Sequence, residues 1–248
     1  KETKMKRIIL VLLVITTLSA TAQESVLLRL NYNEGDNYLL TVDAKQNMGL
    51  QGGMNMNMTM GVIITEVGAK NIKTESKITS VVMDMMQGEM SMSYDSNKKE
   101  AELDQMGQMM KSQFDPMMKA TIHTSLDNLG NMIETKIEPA IPGMEQLTGS
   151  ASTINYPEEK VSVGSSWTSE DENQGVKMST TYTISSIANG IVSLDVSGDV
   201  AGTGTGTIKG KTTVDISSGV PTSAAIEVTM SAQGVNMSII TNTTMTKI

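Results

Sequence analysis

Fifteen of the 22 methionines in this 248-residue chain lie between Met48 and Met118, and Met54, Met56, Met58 and Met60 alternate strictly. On a β-strand such residues share one face, setting a band of thioethers against Asn55, Asn57 and Thr59 on the other. Thioethers are flexible and polarizable, and they ligate soft metals such as copper(I). Met83-x-Met85-Met86, Met90-x-Met92 and Met106-x-x-Met109-Met110 add ligand-like spacings. The band therefore suits a packed core, a deformable pocket for an acyl chain, lipid or apolar peptide, or a copper(I) site. A β scaffold with a solid core and no small ligand is a fourth role.

Other chemistry has little to work with. His123 is the single histidine and cysteine is absent, whereas zinc sites are built from several such ligands. The imidazole sits in a strand pattern with Thr121 and Ser125 on its face, and no nucleophile motif accompanies it. Asp84, Glu89 and Asp95 are scattered. The run Glu170-Asp171-Glu172 reads as a solvated turn, with oxygens that would also suit a weak calcium contact. Gly202-x-Gly204-x-Gly206 is not followed by a helix, so it reads as a flat strand with little bulk on one side rather than a phosphate loop. No catalytic residue, metal site or cofactor is assigned, and the chain is not expected to be an enzyme.

The elements that must position the methionines are mostly strands. Alternation and turn residues predict them over 25–30, 37–43, 54–66, 71–82, 89–94, 121–126 and 132–137. A second series covers 166–171, 175–187, 191–200, 204–216, 222–230 and 235 onward. Thr, Val and Ile dominate this second series, as a pleated antiparallel sheet favours. Between 99 and 118 the period changes. Leu103, Met106, Met110, Phe114 and Met117 form a helical stripe that Asp115-Pro116 is expected to end, with a further short helix over 142–147. Helices this short need an apolar surface to rest on, and the methionine-rich sheet is the obvious one. An apolar pocket is accordingly assigned to Met54, Met56, Met58, Met60, Met83, Met85, Met106, Met110 and Phe114.

Lys4, Lys6 and Arg7, the apolar run 8–18 and Ala20-Thr21-Ala22 have the order of a secretory signal peptide, with cleavage expected after Ala22. The apolar run is too short to span a bilayer, so a periplasmic or secreted, soluble product is expected. Without residues 1–22 the chain carries 15 basic against 26 acidic side chains, a balance of −11. Such a product should avoid nucleic acid and anionic membranes, and an apolar small molecule or lipid is the expected partner.

Residues 23–248 are expected to be one β-rich domain made of two related halves, about 25–140 and 155–248. Gly35-Asp36-Asn37-Tyr38 and Gly164-Ser165-Ser166-Trp167 each open a strand. The turns at 67–72 and 187–192 align at an offset of 120 residues. The Gly-x-x-Tyr opening, Tyr156-Pro157 through Val161-x-x-Gly164-x-x-Trp167-Thr168, Gly202-x-Gly204-x-Gly206 and Asp215-x-x-x-Gly219-x-Pro221 resemble a Bacteroidota family of secreted proteins of unknown function. That family is similar in outline to periplasmic carriers of the LolA, LolB and LppX kind. The resemblance implies a curved sheet whose covering helices enclose an apolar cavity. The lipobox cysteine of lipoprotein relatives has no counterpart, so anchoring by acyl chains does not carry over. The expected fold is mainly β (α+β): an internally duplicated, strongly curved antiparallel sheet, a half-barrel with one or two short covering helices. The expected function is non-catalytic binding of an apolar ligand, with copper(I) binding or a solid structural module as alternatives.

Overall fold

The computed structural model describes residues 24–141, 154–173, 175–232 and 234–248. The expected signal peptide over 1–22 and the expected helix over 142–147 lie outside the described residues.

One antiparallel sheet dominates. Its first half holds β2 (Asn37–Asn47), β3 (Gly53–Val67), β4 (Ile72–Gln87), β5 (Met90–Asp95), β6 (Thr121–Leu126) and β7 (Met132–Glu138). Its second half holds β9 (Ser166–Asn173), β10 (Val176–Ala188), β11 (Ile191–Gly202), β12 (Thr205–Asp215), β13 (Pro221–Ala232) and β14 (Val235–Lys247). The spatial order is β7-β6-β4-β3-β2-β14-β13-β12-β11-β10-β9, with β5 also on β4. The pairing of β14 with β2 joins two meanders into one curved sheet that does not close. A two-stranded ribbon of β1 (Ser25–Val26) and β8 (Val161–Ser162) stands apart from it.

Backbone geometry repeats between the halves. The Gly35 N–H donates to the Ile64 carbonyl (2.8 Å) and the Ile64 N–H to Asp36 (2.9 Å). Gly164, Ile184 and Ser165 repeat both bonds at 2.8 and 2.9 Å. A bulge follows each isoleucine, and its extra residue bonds across the hairpin. Thr65 donates to the Lys73 carbonyl at 3.2 Å and Ser185 to that of Ser193 at 3.1 Å. At the junction of the halves, Lys247 of β14 pairs with Asp36 at 2.7 Å.

The core between the meanders gathers Leu28, Leu30 and Tyr32, Tyr38 and Ile64, Ile154 and Tyr156, and Val192, Leu194 and Val214, the last three with no exposed surface. Burying such aliphatic side chains contributes about 1.5–3 kcal/mol apiece. Only the first two residues of the strand expected over 25–30 are paired as one. Beyond them the Leu30 and Asn31 N–H groups reach the Asn128 and Ser218 carbonyls, in different halves (2.9 and 2.8 Å).

Helix α1 (Gln105–Lys119) begins at Asp104, whose carboxylate accepts from the Gly107 N–H at 2.7 Å. The helix does not end at Asp115-Pro116 as expected. It runs on to Lys119, because Pro116 removes one backbone donor while Phe114, Met117 and Met118 stay packed on the sheet and Lys111 bridges to Asp115 at 2.8 Å. Two further expectations are corrected. Glu170-Asp171-Glu172 belongs to strand β9 rather than a turn, held by pairing to β10. Gly202 ends β11, Gly204 lies in the hairpin turn and Gly206 belongs to β12, so the three do not form one flat strand. Gly202 has φ 103°, a left-handed conformation open to glycine.

Candidate ligand-binding face

Pairing carries one face of the sheet across both halves in register. Met54, Met56 and Met58 stand opposite Met85, Met83 and Val81 of β4, and opposite Gln46, Ala44 and Val42 of β2. Beyond β4, Met92 and Tyr94 of β5 continue the rows of Met85 and Met83. In the other direction the Met56 row passes through Ala44, Thr241, Ile226, Gly210, Val196 and Tyr182 to Trp167. The methionine band is thus one end of an inner face that spans the sheet.

Helix α1 packs on β4 and β5, so the methionine end is covered. Met83 and Met110 are buried there, and Met54, Met56, Met58, Met60, Phe114 and Met117 pack against them half-buried. Seven of the nine residues assigned from sequence therefore meet in one cluster. Met85 is half-buried in the ladder between Met54 and Met92, and Met106 is half-buried in the first turn of α1. The Phe114 ring stacks on Tyr94 at 5.3 Å between centroids, with planes 11° apart. Tyr94 is 1% exposed, and its hydroxyl has no hydrogen-bond partner among the described residues.

The other end of the face is different. A cavity of about 550 Å³ opens over β10 to β14, floored by Met178, Tyr182, Val196, Ile208, Ile226 and Val228, with Thr180, Thr241, Thr243 and Ala224 between them. That volume lies within the roughly 300–1,000 Å³ of small-ligand sites. Asn131 and Met132 at the start of β7, Asn155, and Ser169 to Asp171 of β9 complete the lining. The two edges of the open sheet thus meet the same space. Gly198 and Gly210 fall on the inner face among these residues, paired with Thr180, Ile208, Val196 and Ile226. A Cβ at either would collide with a carbonyl of the neighbouring strand, Ser179 or Ala225. Glycine there lets the sheet bend and leaves the floor thin. Beside the floor, on the edge strand, Trp167 stacks on Tyr182 at 5.6 Å, and its indole Nε1 is buried without a partner among the described residues. Burial raises the Tyr182 phenol pKa, so that group stays a neutral donor.

None of these floor residues is among those assigned from sequence. The signal that could have found them is the alternation of β10 to β13, with Gly198, Gly206 and Gly210 at inward positions. A face that alternates large apolar residues with glycines cannot fill its own volume.

Three comparisons bear on this arrangement. A family of unknown function, DUF6263, matches residues 143–247. No curated protein matches the sequence. A solved structure described by the lipid–protein interactions in lipovitellin is similar over 88% of this chain and 25% of that one, with TM-score 0.57 and 12% identity. The chain spans a quarter of the length of that protein, and at such identity the likeness is one of fold. The family match takes in β9 to β14, and so most of the cavity wall.

His123 lies on the opposite, outer face. Its ring nitrogens are 3.5 Å from Glu75 and 3.8 Å from Glu138. Among the described residues no cluster of three or more His, Asp or Glu side chains could hold a metal ion, and no helix is long and apolar enough to cross a membrane.

Proposed function

We propose that this chain is an exported, non-catalytic binding protein that takes the hydrocarbon part of a lipid or another apolar molecule onto the inner face of its open sheet. The observation that carries the proposal is the cavity over β10 to β14, where glycines hold back the floor and apolar residues line it. The covered methionine cluster fills the other end of the same face without lining the cavity, and its thioether side chains repack at little cost. Export to the periplasm or beyond is supported by the order of residues 4–22, and a small-molecule rather than nucleic-acid partner by the net charge of −8. The fold-level likeness to lipovitellin supports a lipid as the ligand class.

Uptake of a fluorescent long-chain alcohol by delipidated protein tests the proposal. Saturable binding is expected, and Ala224→Phe and Thr180→Phe, each filling the cavity, should both abolish it. Equal uptake by the wild-type protein and both filled variants would sink the proposal.

A second role rests on a separate observation. Met54, Met85 and Met92 stand half-buried in one row across β3, β4 and β5, the arrangement three thioethers need to approach one soft ion. We infer copper(I) as the ion such a row would accept. Anaerobic titration against a copper(I) chelator decides this. Affinity no tighter than that of free methionine excludes it.

A further inference from the structure

We propose, on the basis of the apolar binding role above, that the ligand's polar end carries no negative charge, so that the site takes long-chain alcohols, monoacyl glycerides or amines and rejects fatty acids and lipid phosphates. Among the described residues, the lining of the cavity over β10 to β14 includes two carboxylates, Glu170 and Asp171, and no lysine or arginine. Both carboxylates are exposed on the edge strand β9, Asp171 on its inner side and Glu170, in register with Ser179, at the rim on its outer side. Asp171 pairs in register with the floor residue Met178, which by strand alternation sets it on the inner face with Ser169.

Among the described residues Glu172 pairs with Lys177 at 3.4 Å, but Glu170 and Asp171 form no ion pair. The remaining polar groups of the lining are uncharged: Asn131, Asn155, Ser169, three threonines and the Tyr182 phenol. Asn155 donates to the Ser169 hydroxyl at 3.4 Å, a long bond that leaves both side chains able to serve a neutral head. A carboxylate or phosphate drawn to this rim by its acyl chain would face like charge with no compensating cation. An ammonium or hydroxyl head would face acceptors. The floor thus selects for a chain, and the rim selects against an anion.

The test holds the chain constant and varies the head. Oleyl alcohol, oleylamine and oleate are each titrated, below their aggregation concentrations and at neutral pH, against protein carrying the neutral probe N-phenyl-1-naphthylamine. The alcohol and the amine should displace the probe at concentrations at least roughly tenfold below that of oleate, as like-charge juxtaposition at an interface requires. In the E170Q/D171N double variant the gap between amine and oleate should close to within about threefold, because the rim then carries no charge. Oleate displacing as well as the alcohol, or a gap unchanged in the double variant, would overturn the inference while leaving apolar binding standing. Failure of all three to displace the probe would overturn both.

Discussion

Tyr94 and Phe114 stack at 5.3 Å between ring centroids, and this contact joins the methionine face of the sheet to the helix that covers it. The tyrosine is 1% exposed, and its hydroxyl is buried without a hydrogen-bond partner among the described residues. A buried, unpaired polar group costs about 1–3 kcal/mol. Tyr94→Phe should therefore raise the unfolding free energy by about 1 kcal/mol while keeping the stack. Phe114→Ala should lower it by about 2–3 kcal/mol, less than for a fully buried phenylalanine. Denaturant midpoints measure both changes, and a destabilised Tyr94→Phe would show that the hydroxyl has a partner after all.

Met56 and Met58 pack half-buried beneath α1. Replacing both with leucine conserves volume, so stability should change by less than about 1.5 kcal/mol. Uptake of the fluorescent alcohol should be unchanged, because neither side chain lines the cavity. Loss of uptake in this double variant would move the binding site under the helix.

All five tyrosines have phenol pKa values raised above the ordinary 10.0, chiefly by burial, with Tyr38 pushed up to about 12. The folded state thus favours the neutral phenols. Its stability is fully present below pH 10 and is lost as pH rises through the folded values, including that of Tyr38 near 12. Ultraviolet titration should show little phenolate until the protein unfolds, then all five groups ionising together. Independent titration near 10 with the sheet intact would contradict the packing. At the acid end the sign reverses. Asp36 is held below the usual carboxylate range first by Lys247 and then by Asn33, and Asp215 by Ser217 and Ser218. Their contribution is present above the ordinary carboxylate pKa and is lost as pH falls beneath it.

Much of the sheet is legible in the chain. Alternation places Met54 to Met60 on one face, and the offset of 120 residues between Val67 and Ile187 marks hairpins that share a bulge and its side-chain bond. The helical stripe from Leu103 to Met117 likewise lands on that face. What was not legible is the long-range arrangement. Nothing local shows that β14 pairs with β2, so nothing local shows that the methionine row continues into Ile226 and Val196. Met85 and Met54 are 31 positions apart but adjacent on strands, whereas the cavity depends on several inward glycines acting together. Pro116 misled for a related reason. Its missing donor is a local cost, and the packing that outweighs it is tertiary.

Trp167 is the only tryptophan in the chain, and it stacks at 5.6 Å on Tyr182 in the cavity floor. Its emission therefore reports on the proposed site without any label. Titration with a long-chain alcohol bearing bromine along the chain should quench Trp167 saturably, and Ala224→Phe should remove the saturable component. Emission that stays unchanged while the alcohol binds, or quenching that rises linearly and equally in the wild type and Ala224→Phe, would show that no apolar chain enters the inner face of the sheet.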